Sequence, residues 1–252
     1  MSTAAAPLLE IAANSLASAL AAQDAGAGRI ELCASLEQGG LTPSYATIAL
    51  ARERLRIPLY VLIRPRTGDF LYSEVELETM RGDIEACVRL GCDGVVIGAL
   101  DTGGNIAMPA CRTLIAAAGQ LGVTFHRAFD VARDARRALE DIVGLGCARI
   151  LTSGQRRSAP EGATLIRELV DQAAQRIVIM PGAGIDANNI AALRARTGAT
   201  EFHASAKRAL ESRMRYRSAQ LSDLQGGELQ SDSDEISRMS RALSGSSMAV
   251  TR

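Results

Sequence analysis

Short apolar runs alternate along the chain with longer segments whose apolar residues recur at helical spacing. The runs are rich in Val, Ile and Leu, and most are bounded by Gly, Pro or charged residues. Short runs of this kind are typical of buried β-strands. The eight runs occupy residues 8–12, 29–33, 58–64, 94–100, 123–127, 149–153, 176–181 and 201–206.

The segments between the runs predict helices. In residues 74–90 the side chains that share one face of a helix are Leu77, Met80, Ile84, Cys87 and Val88. Strand and helix alternate about every 27 residues, close to the length of a βαβ unit. Eight such units predict an α/β fold, a single (β/α)8 TIM barrel. A doubly wound open sheet is the alternative, and the lack of a GxGxxG after an early strand disfavours it.

A short repeat supports a closed barrel. Gly followed by Ala or Cys introduces the second, fourth, sixth and eighth strands, at residues 26–27, 91–92, 146–147 and 198–199. Glycine there suits the left-handed residue that ends a helix. Phe202 is then predicted to face the helices. The alignment predicts two interior layers, Glu31, Val96, Leu151 and His203 below and Cys33, Gly98, Ser153 and Ser205 nearer the mouth.

The two ends of the chain and the last loop deviate from the repeat. We expect residues 1–7 to form an N-terminal tail, and residues 8–243 to form the barrel, with a long last βα loop over about residues 207–233. Residues 218–234 are rich in Gly, Ser and Gln, and either fold over the mouth or are mobile. Residues 234–243 predict the eighth helix, and 244–252 a disordered C-terminal tail.

Composition limits the classes of partner. Lys plus Arg and Asp plus Glu number 28 each, so no basic field favours nucleic acid or an anionic membrane. The expected partners are a small-molecule ligand and another copy of the chain. No apolar stretch approaches the roughly 18 residues of a membrane span, and the five scattered cysteines predict free thiols. We therefore expect a cytoplasmic protein.

Both histidines lie near the carboxyl end of a predicted strand, where (β/α)8 barrels place their active sites. His126 and His203 each follow a phenylalanine, and Glu31 shares a predicted layer with His203. An imidazole can act as general acid, general base or metal ligand near neutral pH. We interpret these three residues as catalytic acid–base candidates. Glu10, on the first strand, is another candidate neighbour of the histidines. The alternatives are satisfied core histidines and a buried ion pair of either glutamate with Arg29 or Arg64.

Several mouth residues suit an anion. Arg64 and Arg66 lie at the end of the third predicted strand, one on each side of Pro65. Arg127 lies at the end of the fifth. Guanidinium groups match carboxylates and phosphates. Gly182 and Gly184 follow the seventh strand, where backbone N–H groups of such barrels frequently bind phosphate. The alternative is a structural network of arginines with neighbouring aspartates.

Cys33 ends the second strand on the predicted functional face, whereas the other four cysteines are predicted to pack in the core. A thiolate at Cys33 would suit a soft metal such as Cu(I). A buried small apolar residue is the equal alternative.

Several motifs together resemble the CutC family. They are the residues RIELC at 29–33 with GGLTP at 39–43, IRPR at 63–66 with GDFLYS at 68–73, TFHRAFD at 124–130, LTSG at 151–154 and EFHAS at 201–205. The resemblance runs from about residue 8 to residue 217 in the order of the family.

The resemblance implies a cytosolic (β/α)8 barrel that self-associates, as a homodimer or a higher oligomer. It also implies a copper homeostasis protein with Cu(I) binding through Cys33, or an enzyme of unidentified activity. The family's mouth residues correspond to Arg64, Arg66, His126, Arg127 and His203. Many members carry a second cysteine on the first strand, where this chain has Ala12. Two hypotheses follow: copper homeostasis with Cu(I) bound at Cys33, and an enzyme acting on a small anionic or phosphorylated metabolite.

Overall fold

The computed structural model describes residues 6–218, 220–221 and 226–245. Eight parallel strands follow one another around a barrel in the order β7-β6-β5-β4-β3-β2-β1-β8. A parallel bridge between Gly182 and His203 joins its two ends. The strands are β1 Leu8–Ala13, β2 Arg29–Leu32, β3 Leu59–Leu62, β4 Gly94–Ile97, β5 Gly122–Phe125, β6 Arg149–Thr152, β7 Val178–Pro181 and β8 Glu201–Ala204.

A helix follows each strand, which confirms the predicted single (β/α)8 barrel. The helix over Glu74–Leu90 begins with a capping box between Ser73 and Glu76, which satisfies N–H groups of the first turn. The helices are α1 Leu16–Asp24, α2 Tyr45–Arg54, α3 Glu74–Leu90, α4 Met108–Ala118, α5 Ala135–Leu145, α6 Ala163–Ala173, α7 Ile190–Thr197 and α8 Ser233–Ser244. None of the helices in the described part of the chain is long and apolar enough to cross a membrane.

The main core lies between the strands and the helices. Phe202 is completely buried there, on the helix side of β8 as its parity predicts. The predicted apolar face of α3 is also correct for Met80, Ile84 and Cys87, whereas Val88 is exposed. A second, smaller cluster of buried side chains lies inside the barrel and consists of Cys33, Tyr60, Leu62 and Val96. The predicted interior layers therefore have the right parity.

The glycines of the repeat have the expected backbone conformation. Gly91, Gly146 and Gly198 adopt left-handed dihedral angles at the ends of α3, α5 and α7. An L residue with a side chain rarely adopts this conformation, so the repeat marks the points where each helix turns back into the barrel.

The segment after β8 contains a feature that the sequence did not predict. Two antiparallel strands form a hairpin, β9 Lys207–Leu210 and β10 Glu228–Ser231. The amide of Asn14 donates to the carbonyl of Leu229, and the hydroxyl of Ser18 accepts from the N–H of Ser231. These bonds fix the end of the loop against α1, and α8 then begins. The predictions for residues 1–5, 219, 222–225 and 246–252 lie outside the described residues.

Candidate functional site

A cavity of about 470 Å³ opens at the carboxyl ends of the strands. The first to third and the fifth to eighth βα segments contribute to its wall. The lining residues are Ala12, Glu31, Leu36, Gly39, Gly40, Leu62, Arg64, Phe70, His126, Arg127, Leu151, Ala183, Gly184, Ile185, His203, Ala204, Ser205 and Lys207.

A buried ionic layer lies in the barrel beneath the cavity. Arg29 bridges the carboxylates of Glu10 and Glu201, and Arg149 reaches Glu201 at 3.0 Å. The Tyr60 ring lies beside both guanidinium groups, with its centroid 5.1 Å from Cζ of Arg29 and 4.8 Å from Cζ of Arg149. Buried charges are tolerated when paired in this way. The sequence offered Arg29 and Arg64 as ion-pair partners for a buried glutamate. In the structure Arg29 is paired with Glu10.

Glu31 and His203 meet at the floor of the cavity. Nε2 of His203 lies 3.4 Å from Oε2 of Glu31 and 3.9 Å from Oε1 of Glu10. Burial lowers the pKa of His203, but the two carboxylates outweigh that effect and raise its pKa overall. The predicted proximity of Glu31 and His203 is thus present in the structure, and Glu10 is the third member of the group.

His126 has the opposite electrostatic environment. Burial, together with the charge of Arg64, lowers the pKa of His126 to about 4, and Glu31 opposes the shift only in part. Nδ1 accepts a hydrogen bond of 3.1 Å from the N–H of Ala128. The neutral ring therefore carries its proton on Nε2, which is buried and has no partner among the described residues. His126 presents a hydrogen-bond donor at neutral pH.

Arg64 lies in the wall close to His126, and its residue is only 7% exposed. Its guanidinium donates to the carbonyl oxygens of Gln38, Gly40 and Gly68 and stacks over the Phe70 ring at 5.2 Å. Within the described part of the chain it forms no ion pair with a carboxylate, and its Nε has no hydrogen-bond partner. Arg64 is therefore a buried positive charge without a negative partner.

The other two predicted arginines are both held in ion pairs. Arg66 bonds to Glu76 at 2.5 Å and to Asp69 at 3.1 Å, and it is not among the residues that line the cavity. Arg127 lines the rim, where it pairs with Asp130 at 2.7 Å and donates to Ser153. The alternative of a structural Arg–Asp network therefore describes Arg66 well, whereas Arg127 belongs to both the network and the cavity.

The glycines after β7 have different surroundings. Gly184 lines the cavity, whereas Gly182 does not. A Cβ at Gly182 would lie 2.4 Å from Cδ1 of Leu151, so close packing beneath the cavity accounts for this glycine. Ala183, between them, lines the cavity in a left-handed conformation with φ of 75°. Such strain in a residue with a side chain is often found at functional sites.

Cys33 is 1% exposed and packs with Tyr60, Leu62 and Val96 inside the barrel. It is not among the lining residues of the cavity. Burial raises the pKa of its thiol strongly, and the nearby charge of Glu31 raises it further, so the thiolate is disfavoured. The remaining cysteines, Cys87, Cys92, Cys111 and Cys147, are buried between the strands and the helices, as predicted for core residues.

Two further side chains contribute to the cavity, and sequence reasoning missed the first of them. Phe70 packs against the His126 ring at a centroid distance of 4.9 Å, and Lys207 lines the rim at the start of β9. The GDFLYS motif contains Phe70, but nothing in its pattern shows that this loop folds back over the fifth strand. Lys207 lies just after β8, in the eighth βα loop, where barrels of this kind frequently bind phosphate.

An eight-stranded parallel barrel with arginine, histidine and lysine side chains around the cavity at its mouth defines a (β/α)8-barrel protein. The chain belongs to the CutC family, whose profile matches residues 7–208. A family protein CutC from Xylella fastidiosa is 60% identical over 236 residues, which cover 94% of this chain and 88% of that protein. One from Xanthomonas campestris is 60% identical over 222 residues, 88% of this chain and 92% of that protein.

A solved structure shows the same fold. CutC from Streptococcus agalactiae, a protein named for copper homeostasis, superposes with a TM-score of 0.76 at 36% identity. The match covers 79% of this chain and 98% of that one.

Proposed function

We propose that the cavity binds a small anionic metabolite, carboxylated or phosphorylated, and acts on it as an enzyme site. The observation that supports this most strongly is Arg64. A buried charge is costly unless a charge of opposite sign is near, and described carboxylates do not pair with this one. An anion in the cavity would supply the missing partner.

The rest of the wall suits the same ligand. His126 offers a neutral N–H donor beside Arg64, and Arg127 and Lys207 add positive charge at the rim. The hydrogen bond from Ala128 already holds the His126 ring in place. Its N–H therefore needs no reorientation when negative charge develops on an oxygen atom of the bound ligand. His126 therefore serves as a hydrogen-bond donor to the substrate, and its position beside Arg64 favours negative charge at that point.

A thermal-shift screen of anionic metabolites, each paired with its uncharged parent compound, tests this proposal. A ligand present at about 100 times its Kd stabilises the folded protein by about 2.7 kcal/mol, which is easily measured. We expect stabilisation by a subset of the anions and by none of the uncharged parents. Equal shifts for the charged and uncharged members of each pair, or no shift at all, would refute the proposal.

Copper binding is a second candidate, favoured by the name of the Streptococcus agalactiae relative. The donors at Cys33 do not fit tight Cu(I) binding. The thiol is protonated and packed among apolar side chains, and Ala12 stands where many family members have a second cysteine. A Cu(I) competition titration decides the matter, and an affinity unchanged in Cys33→Ser would exclude Cys33 as the ligand.

We also propose, from the family membership, a cytoplasmic location and self-association as a dimer or higher oligomer. Light scattering during size-exclusion chromatography of the full chain measures the second directly. A mass of 26.6 kDa, that of one chain, at micromolar concentration would contradict self-association.

A further inference from the structure

We propose that Glu10, Glu31 and His203 bind one divalent metal cation, of the Mn²⁺ or Zn²⁺ type, at the floor of the cavity. One ligand atom from each residue lies within 4.8 Å of the other two. The site is distinct from any copper site at Cys33, because it uses carboxylate oxygens and an imidazole nitrogen and no sulfur.

The barrel itself brings the three residues together. Strand β1 lies between β2 and β8, and Glu10 is directly opposite His203 in the register of β1 and β8. Glu31 is paired with Ala12, two residues further along β1 on the same face. Three neighbouring strands thus supply the three ligands, and strands hold ligands more precisely than loops do.

The three converging atoms face one another but form no hydrogen bond. Oε1 of Glu10, Oε2 of Glu31 and Nε2 of His203 are each buried and form no hydrogen bond with a described residue. Glu10 is completely buried and Glu31 is 6% exposed. Buried polar atoms in native proteins almost always have a partner, so three orphans at one point indicate a missing ligand.

The charges beneath the cavity leave room for a cation. Three carboxylates, those of Glu10, Glu31 and Glu201, face two guanidinium groups, those of Arg29 and Arg149. While the His203 ring is neutral, as it is when it binds a metal, one negative charge is left for a cation to balance. Arg29 holds Oε2 of Glu10, which fixes that carboxylate and leaves Oε1 to face His203. This resembles the outer hydrogen bonds that orient metal ligands in known sites.

The distances are close to those of a metal site. Bonds of about 2.0–2.2 Å from a metal place neighbouring ligand atoms about 3.0–3.5 Å apart. The Nε2 atom of His203 lies 3.4 Å from Glu31 and 3.9 Å from Glu10. A small rotation of side chains would bring all three into coordination.

The type of donor selects the class of metal. Two carboxylates with one imidazole suit Mn²⁺, Fe²⁺ or Zn²⁺, whereas Cu(I) prefers sulfur. Glu31 and His203 both line the cavity, so the remaining coordination positions would face it. An anion bound beside Arg64 could occupy one of these positions. That step alone rests on the proposed function, whereas the metal site itself does not.

A proton shared by Glu31 and His203 is the alternative way to neutralise the cluster, and it corresponds to the acid–base role predicted from the sequence. Metal titration distinguishes the shared proton from a bound metal.

The full-length protein, freed of metal with a chelator, is titrated with Mn²⁺ alone and Zn²⁺ alone by calorimetry, and Mn²⁺ binding is checked by electron paramagnetic resonance. We expect one ion per chain, with Glu31→Gln and His203→Asn each weakening binding at least tenfold.

His126→Asn and Cys33→Ser are the matched controls, since each removes a possible ligand atom near the cluster without belonging to it. Both should bind the metal within twofold of wild type. Glu31 and His203 lie outside the Arg29 ion pairs, so their variants are expected to fold, and circular dichroism checks this. Absence of binding by folded protein, or an affinity that depends on Cys33 and not on Glu31 and His203, would overturn the inference.

The metal titration contains no anion. Failure of the proposed anion binding therefore leaves its result unaffected, and failure of metal binding leaves the thermal-shift screen unaffected. The two proposals can fail separately.

Discussion

Gly98 leaves the space that the His126 ring occupies. A Cβ on Gly98 would lie 2.6 Å from both Nδ1 and Cε1 of that ring and 3.1 Å from Cβ of Ala128. Gly98, which directly follows β4, therefore determines where the His126 ring lies in the cavity wall. It thereby also preserves the hydrogen bond from the N–H of Ala128 to Nδ1, which keeps the proton of His126 on Nε2.

Gly98→Ala is expected to displace His126 and to destabilise the protein by about 1–3 kcal/mol, the usual range for overpacking a dense interior. Urea unfolding measures the loss, and the imidazole resonances of His126 report the displacement. Gly82→Ala is the control, because Gly82 lies exposed within α3 and an added Cβ meets nothing within 4 Å. It should stabilise by about 0.5–1 kcal/mol. A Gly98→Ala protein with wild-type stability and unchanged His126 resonances would contradict the expectation.

Removing Arg29 should destabilise the barrel strongly. Arg29→Met leaves the buried carboxylate of Glu10 without its guanidinium partner, and breaking a buried pair costs about 3–5 kcal/mol. Arg176→Met breaks an ion pair with Glu140 on the surface and should change the free energy of unfolding far less. Denaturant melts of both variants provide the comparison. Similar losses from the two substitutions would show that the ionic layer does not stabilise the barrel.

The thiols should be inaccessible in the folded protein. All five cysteines are buried, and the raised pKa of Cys33 disfavours its reactive thiolate. Labelling with a thiol-specific reagent at pH 7.5 is expected to be slow for folded protein and to reach five groups per chain after denaturation. Rapid labelling of Cys33, identified by mass spectrometry, would reveal a thiolate and strengthen the copper-binding candidate.

The sequence predicted the parts of the fold that depend on local patterns. Glu31 could be placed beside His203 from the strand spacing, the Gly pairs and the alternation of side chains. Side chains alternate between the two faces of a strand, so aligned positions on neighbouring strands point into the barrel together. The sequence did not predict the hairpin β9–β10, because its strands are short and mostly polar and because β9 is largely exposed.

The loops limited the prediction of the site. Arg64 and Arg66 are separated by one proline and look equivalent in the sequence, yet one is buried in the cavity wall and the other bonds to Glu76 outside it. The difference arises from where the loop turns after Pro65, which no local pattern encodes. Cys33 likewise lies at the predicted level along the barrel axis. It is nevertheless kept out of the cavity, because Leu62 and the segment at Gly40 pack around it.

Arg64 and Arg66 also provide the most direct test of the central claim, that a buried unpaired arginine makes the cavity an anion site. The anion that gives the largest thermal shift is titrated by calorimetry into wild type, Arg64→Met, Arg64→Lys and Arg66→Met. We predict at least a tenfold loss of affinity in Arg64→Met, partial recovery in Arg64→Lys, which restores a charge, and an affinity within twofold of wild type in Arg66→Met. Equal affinities in folded Arg64→Met and wild type, or a greater loss in Arg66→Met, would contradict the claim.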